Sequence, residues 1–152
     1  MFEIRRDDLS GEATRALLRL HLQGMHASSP KGASFALDLS GLAAPGVTVW
    51  TAWSGDQIAG IGALKRMAPD MGEIKSMRTH PDFARRGVGR ALLEHILDQA
   101  RALGLKRVVL ETGTGPAFEA AHALYASRGF KPGEPFADYA ASDFHRFYHL
   151  SL

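Results

Sequence analysis

The chain has 152 residues, 45% of them hydrophobic, and a formal net charge of +2 at pH 7. This length is typical of a domain that buries a core of its own, so we expect one domain over residues 1–152. The absence of cysteine excludes disulfides, thiolate nucleophiles and cysteine metal sites, and so small a charge does not indicate nucleic-acid binding.

The sequence shows no sign of a membrane span or a signal peptide. No apolar run approaches the roughly 20 residues that a membrane helix needs. The N-terminus, Met1–Arg6, lacks the apolar centre of a signal peptide. We therefore expect a cytoplasmic protein without a membrane partner.

The first part of the chain predicts a strand followed by helices. Phe2–Arg6 alternates as a short edge strand does, and Ser10 is placed to cap a helix. The apolar residues of that helix follow helical spacing at Ala13, Ala16, Leu17 and Leu20. Ser28–Gly32 has the composition of a loop, and Phe35–Leu42 predicts a second, short helix.

An antiparallel meander follows these helices. Val47–Trp53 and Ile58–Leu64 are rich in β-forming residues, and the polar segment Ser54–Gln57 between them predicts a hairpin. A turn near Pro69 leads into a third strand, Gly72–Thr79.

The spacing of the apolar residues changes in the second half of the chain. Val88–Leu103 repeats apolar residues at helical spacing and is followed by Gly104, which is typical of a helix end. Arg107–Glu111 predicts a strand, Gly115–Gly129 a second helix and His145–Leu152 a last strand. Alternating strands and helices after a meander indicate an α+β (mixed α/β) fold with one parallel crossover.

A basic junction precedes the long helix. Four arginines fall there within thirteen positions, at Arg78, Arg85, Arg86 and Arg90. Free N–H groups at a helix start bind anions, and Gly87 and Gly89 allow a phosphate to approach the backbone. The alternative is an exposed basic face without a ligand. The dinucleotide pattern Gly-x-Gly-x-x-Gly and the phosphate-loop pattern Gly-Lys-Ser/Thr are both absent.

Three blocks of the sequence resemble the Gcn5-related N-acetyltransferase (GNAT) family. Glu73–Pro81 resembles its fourth strand and His-Pro turn, Leu110–Gly113 its fifth strand, and Leu124–Phe130 the end of its next helix. The family signature, Arg/Gln-x-x-Gly-x-Gly/Ala, fits Arg86–Ala91 in one frame. In the other frame Gly87 and Gly89 are the two glycines and Ala84 stands at the Arg/Gln position, for which Arg85 or Arg86 would substitute.

This resemblance implies an acyl-CoA N-acyltransferase fold, with helices on both faces of a mostly antiparallel sheet. It implies acetyl-coenzyme A as co-substrate, its pantetheine arm between the splayed fourth and fifth strands, and no metal. The residues that it places at the cofactor are Met77, Arg78, Thr79, Arg85, Arg86, Gly87, Val88, Gly89, Arg90 and Ala91.

The resemblance also names two catalytic candidates. Glu73 matches the place of a general base in histone-type members, and its alternative is a glutamate paired with Lys75 or Lys65. Tyr125 resembles the general acid that protonates the leaving thiolate. Its alternative is structural, since Tyr125 and Phe130 are spaced to make the hydrophobic contact of a Schellman helix ending at Gly129. Both roles of Tyr125 are compatible.

The acceptor is expected to be the primary amine of a small molecule, a peptide or a lysine. His21 and His26 lie near the region that covers the acceptor cleft in this family. Aromatic residues that would either line an acceptor pocket or pack in the core are Trp50, Trp53, Phe136 and Tyr139. The competing interpretation is a non-catalytic sensor that binds acyl-coenzyme A. A homodimer is an alternative to a monomer.

Overall fold

The computed structural model describes residues 2–32, 34 and 36–152. Its strands are β1 (Glu3–Asp7), β2 (Val47–Ser54), β3 (Gln57–Ala68), β4 (Met71–Thr79), β5 (Arg107–Thr112), β6 (Lys131–Pro132) and β7 (Arg146–Ser151). Its α-helices are α1 (Glu12–Ser28), α2 (Leu39–Leu42), α3 (Val88–Ala102) and α4 (Glu119–Ser127). Short 3-10 helices lie before α3 and α4, at Pro81–Phe83 and Pro116–Phe118.

These strands form one sheet in the order β1-β2-β3-β4-β5-β7-β6. Neighbouring strands are antiparallel except β4 and β5, which are parallel and are connected through α3. The α+β (mixed α/β) class predicted from the sequence, with its single parallel crossover, is confirmed. None of the described helices is long and apolar enough to cross a membrane.

Helices cover both faces of the sheet. On one face, α1 buries Leu17 against Ile61 of β3. On the other face, α3 buries Leu92 and Ile96 against a core that includes Ile74 of β4. Successive residues of a strand point to opposite faces of the sheet, so the same strands contribute side chains to both cores. Each fully buried leucine or isoleucine contributes about 1.5–3 kcal/mol relative to an exposed one.

The predicted helix cap at Ser10 is wrong. Gly11 is the N-cap of α1, and its backbone is extended. The backbone N–H and the hydroxyl of Ser10 both donate to Oδ1 of Asp8, at 3.0 and 2.6 Å. Because this aspartate holds the serine in a turn of its own, the serine hydroxyl does not reach the helix start.

Two other predicted boundaries differ from the structure, and the sequence does not predict strand β6. The helix expected from Gly115 becomes α-helical only at Glu119, because a 3-10 turn comes first. Strand β6 has two residues, too few to show an alternating pattern. The helix expected over Phe35–Leu42 is reduced to α2, whose N-cap Asp38 accepts from the N–H of Gly41 at 2.9 Å. Phe35 itself lies outside the described residues.

The fourth strand separates from the fifth after three residues. Residues Met71–Glu73 pair with Arg107–Val109, and the ladder then stops. Strand β5 continues beside β7 as far as Thr112. The splay that the family resemblance implies is therefore present, and it opens a wedge between the C-terminal parts of β4 and β5.

A bulge in β4 shapes one wall of this wedge. Between Lys75 and Arg78, β4 has two residues where β3 has only Gly62. Ser76, within the bulge, has a φ of +60°. A Cβ at Gly62 would lie 2.6 Å from Sδ of Met77, so a larger residue there would displace the Met77 side chain that follows the bulge. Bulges of this kind redirect side chains next to functional sites.

Candidate active site

A cleft of about 430 Å³ lies between the end of β4, the start of α3 and helix α4. Gly87 is the N-cap of α3 with a φ of +83°, and a Cβ built there would have nothing within 4 Å. The N–H groups of the first helical turn have no intrahelical acceptor, and they belong to Val88, Gly89 and Arg90. The N–H of Ala91 already donates to the carbonyl of Gly87 at 3.0 Å. The helix thus presents its positive end to an open groove, as an anion site requires.

The four arginines of the junction have different surroundings. Arg85 and Arg90 line the cleft, and Nε of Arg90 lies 3.4 Å from Oε1 of Glu94. The guanidinium of Arg86 instead stacks on the ring of Phe83, 5.5 Å from its centre. Arg78 turns its side chain toward α1. Arg85 and Arg90 are therefore the two arginines of the loop and helix start that border the groove.

Tyr125 lies on α4 where this cleft meets a second, inner cavity. The N–H of Phe130 donates to the carbonyl of Tyr125, and that of Gly129 to the carbonyl of Ala126, both at 3.1 Å. These two bonds make the Schellman ending, and the rings of Tyr125 and Phe130 are 5.6 Å apart. Burial raises the pKa of the Tyr125 phenol far above its ordinary value, so the hydroxyl keeps its proton.

The inner cavity has a volume of about 90 Å³ and lies in the wedge between the splayed strands. Its walls come from α1, β4, β5 and α4, and the polar residues among them are His21, Lys75, Ser76, Glu111, Thr112 and Tyr125. Met25, Met77, Phe118, Ala121 and Tyr125 border both the inner cavity and the larger cleft. The two spaces therefore adjoin at Tyr125.

Glu73 belongs to a buried polar cluster beside this cavity. Its Oε2 accepts a hydrogen bond from the hydroxyl of Tyr139 at 2.8 Å and lies 3.4 Å from Nζ of Lys75. The same Nζ donates to the Tyr139 hydroxyl at 2.8 Å. Glu73 is 1% exposed, and among the described residues it does not border the inner cavity.

A second carboxyl group, that of Glu111, does border the cavity. Burial raises the pKa of Glu111 to about 7, and the charge of Glu73 adds to the rise, while His145 and Lys75 oppose it. Glu111 is paired with Phe147 of β7, so it points away from the face occupied by Leu110. In the sequence, Glu111 lies in the block that resembles the family's fifth strand, and no pattern there indicates a role for it. The sequence signal for Glu111 is its position on a predicted strand, directly after the buried Leu110.

The sequence profile of the acetyltransferase (GNAT) family matches residues 12–130. The chain belongs to this family. It is 49% identical over 152 residues to the uncharacterized N-acetyltransferase YedL of Escherichia coli K12, covering 100% of this chain and 96% of that one. It is 46% identical over 136 residues to the uncharacterized N-acetyltransferase YsnE of Bacillus subtilis 168, covering 90% of each. Among solved structures, the Bacillus subtilis acetyltransferase in complex with CoA superposes with a TM-score of 0.75 at 19% identity, over 100% and 99% of the two chains.

As a GNAT protein, the chain is an N-acetyltransferase with the acyl-CoA N-acyltransferase fold. Of the residues expected at the cofactor, those that border the large cleft are Met77, Arg78, Thr79, Arg85, Gly87, Val88, Gly89 and Arg90. The side chain of Arg86 and the backbone N–H of Ala91 are engaged elsewhere. Of the two histidines near the acceptor region, His21 borders the inner cavity.

Proposed function

We propose that the protein transfers the acetyl group of acetyl-coenzyme A to the primary amine of a small molecule or peptide, by direct attack of the amine on the thioester. One observation carries this proposal: the cleft at the positive end of α3 adjoins an inner cavity that Glu111 borders, and Tyr125 lies at the junction. Two substrates can thus approach one point from opposite sides within a single domain.

The residues of the cleft fit coenzyme A. The open space at Gly87 and the free N–H groups of Val88, Gly89 and Arg90 suit a pyrophosphate, with Arg85 and Arg90 as counter-charges. Beyond Glu73, β4 no longer pairs with β5, so the backbone groups on that edge, near Met77, suit the amide groups of a pantetheine arm. When bound, acetyl-coenzyme A supplies an activated acetyl group and a thiolate leaving group.

Glu111 suits the role of general base. An alkylammonium group has a pKa of about 10.4 and must lose a proton before its nitrogen can attack. A carboxylate with a pKa of about 7 is a stronger acceptor than an ordinary glutamate and is still ionised at neutral pH to a useful extent. Glu111 borders the cavity, whereas Glu73 is held by Lys75 and Tyr139, so we propose Glu111 as the base and Glu73 as the anchor of the cluster.

Tyr125 suits the role of general acid. Its raised pKa keeps the hydroxyl protonated, and its position where the cleft meets the inner cavity supports a role in protonating a thiolate that leaves there. The balanced step forms the bond from the amine nitrogen to the acetyl carbon and breaks the bond from that carbon to sulfur. Of the two protons that the ammonium nitrogen loses, the first goes to Glu111. The thiolate takes the proton of Tyr125, and the second proton from the nitrogen returns to the Tyr125 oxygen.

Replacing Gly87 with valine tests the cofactor site. We expect Gly87→Val to weaken coenzyme A binding at least about 100-fold, or about 2.8 kcal/mol, because the new side chain would fill the open groove. Isothermal calorimetry with coenzyme A measures the affinity. Release of free thiol from acetyl-coenzyme A with a panel of amines then measures turnover.

The matched control is Gly104→Val. Gly104 follows the other end of α3, has a φ of +78° and is equally open, so valine suffers the same backbone strain there. Both variants should lose similar thermal stability, and only Gly87→Val should lose affinity. Unchanged binding in Gly87→Val, or equal loss in both, would exclude the assigned cofactor site. Coenzyme A binding without turnover of any amine would favour the sensor function.

Replacing Glu73 with glutamine distinguishes the role of Glu73 from that of Glu111. Removing one partner of a buried ion pair typically costs about 3–5 kcal/mol, so Glu73→Gln should lower the melting temperature, and Glu73→Gln/Lys75→Gln should recover part of the loss. Because the charge of Glu73 helps to raise the pKa of Glu111, Glu73→Gln should move the inflection of kcat/KM to lower pH without removing it. A loss of about 100-fold at neutral pH that narrows toward the pKa of the amine would instead make Glu73 the base.

A further inference from the structure

Lys75 and Glu111 lie opposite each other across the wedge between the splayed strands. Glu73 is the last residue of β4 that pairs with β5, and its partner is Val109. Two residues further along, the same register places Lys75 opposite Glu111. Paired residues, and residues two apart on one strand, lie on the same face of a sheet, so Lys75 and Glu111 share a face. Both residues border the inner cavity.

Two neighbouring side chains hold the ammonium group of Lys75 in place. Its Nζ donates to the hydroxyl of Tyr139 at 2.8 Å and lies 3.4 Å from Oε2 of Glu73. The Tyr139 ring is in turn packed against Phe147 of β7, with the ring centres 5.9 Å apart. Among the residues that the structure describes, the carboxyl group of Glu111 forms no ion pair. Lys75 is therefore bound to the cluster of Glu73 and leaves the oxygens of Glu111 to the cavity.

The ionisable groups around Glu111 come from every element that packs there. They are Glu73 and Lys75 of β4, His21 of α1, Tyr125 of α4, Tyr139 of the segment between β6 and β7, and His145 before β7. Burial lowers the pKa of His21 to about 4 and raises the pKa of both tyrosines, so these three are uncharged at neutral pH. Of the two other bases, a lysine ordinarily keeps its charge to about pH 10, whereas a histidine loses it near about 6.5.

We propose that Lys75 is a positioning residue for acetyl transfer: its ammonium group, fixed by Glu73 and Tyr139 across the wedge from Glu111, keeps Glu111 ionised so that this carboxylate can take the proton of the amine. Burial favours the uncharged carboxyl, which cannot act as a base, and a nearby cation opposes burial. Lys75 lowers the pKa of Glu111 more than Glu73 raises it. A direct ion pair would occupy the carboxylate, whereas an ammonium held at a distance leaves it to the substrate. The inference rests on the proposed function.

Comparing Glu73→Gln/Lys75→Met with Glu73→Gln tests the proposal. Neither variant has a charge at residue 73, so the comparison isolates the ammonium group. The methionine should move the inflection of kcat/KM upward by at least about 0.5 pH unit, which is about a threefold change in the ionisation equilibrium of Glu111. At neutral pH the double variant should be slower, and the difference should narrow above both inflections. The thiol-release assay, run from about pH 5 to about pH 10, measures both profiles.

Two further variants separate charge from packing. Glu73→Gln/Lys75→Arg keeps a cation at residue 75, so its inflection should lie near that of Glu73→Gln. Tyr139→Phe removes a hydrogen bond from the same cluster but no charge, so it should lower the melting temperature and move the inflection less than the methionine does. Replacing both members of a buried ion pair with uncharged residues is often tolerated, so the double methionine variant should fold, as its melting temperature will show.

The outcomes distinguish this inference from the proposed function. If no amine is acetylated, or if Glu111→Gln keeps the inflection, the proposed function fails and the inference fails with it. If Glu111→Gln loses the inflection but the methionine leaves it unchanged, Glu111 stands as the base and Lys75 only neutralises Glu73, which overturns the inference. A shift that arginine does not reverse reflects packing and overturns it too. An upward shift with methionine that arginine reverses supports it.

Discussion

Glu111→Gln is expected to lower kcat/KM at neutral pH by about 100-fold or more, because the amine loses the group that takes its proton. Glutamine keeps the size and most of the polarity of the side chain, so the walls of the cavity should keep their shape. For the unmodified protein, kcat/KM should rise with pH through an inflection near 7, the pKa to which burial raises Glu111. In the variant this inflection should be absent, and activity should approach that of the original protein as pH nears the pKa of the amine.

Stability gives an independent measurement on the same variant. The pKa of Glu111 rises from an ordinary 4.5 to about 7 in the folded chain, so the folded state holds an extra proton between these pH values. Stability should therefore fall as pH rises through this window. Glutamine does not ionise, so Glu111→Gln should gain up to about 3 kcal/mol over the original protein above pH 7, and nothing below pH 4.5.

Melting temperatures of Glu111→Gln and of the original protein, measured at pH 5 and pH 8, test the direction of this change in stability. The gap between the variant and the original protein should widen in favour of the variant at pH 8. Activity that is unchanged in Glu111→Gln, with the same inflection in pH, would exclude Glu111 as the base. Glu73→Gln is the natural comparison, because it removes a carboxyl group from the same cluster while leaving the cavity wall in place.

Local patterns made the cofactor side of the site predictable. A helix start after glycine, and a helix end at Gly129 with Phe130 beyond it, are encoded within a few residues of sequence. Both appear in the structure at the expected positions, with Gly87 as N-cap and Phe130 bonded to Tyr125. The resemblance to the GNAT family, now shown, is what indicates coenzyme A as the ligand of these local features.

The acceptor side depended on contacts that no local pattern encodes. Tyr139 contacts Glu73, which is 66 residues away in the sequence, and Arg78 contacts His21, which is 57 residues away. The raised pKa of Glu111 comes from burial between β5, β7 and the cluster of Glu73, which only the packed sheet creates. The sequence suits Tyr139 to an aromatic pocket or to the core, whereas in the structure its hydroxyl links Lys75 and Glu73.

Tyr125→Phe distinguishes chemistry from packing at the junction of the two cavities. The substitution keeps the ring that lies 5.6 Å from Phe130 and removes only the hydroxyl. If the hydroxyl protonates the leaving thiolate, kcat should fall about 10- to 1000-fold while the melting temperature changes little. Tyr125→Ala is the control for packing, and loss of a ring that is 6% exposed should destabilise the fold by about 3–5 kcal/mol.

The leaving group offers a sharper check of the same role. A thiol with a pKa of about 8.5 leaves more easily when it receives a proton, and a more acidic thiol needs that proton less. An acetyl thioester of a more acidic thiol, one that still occupies the cleft, should therefore restore the rate of Tyr125→Phe more than that of the original protein. Equal rates for both proteins with acetyl-coenzyme A would remove Tyr125 from the chemistry. The residue would then serve as the helix-ending ring that its contact with Phe130 already makes it.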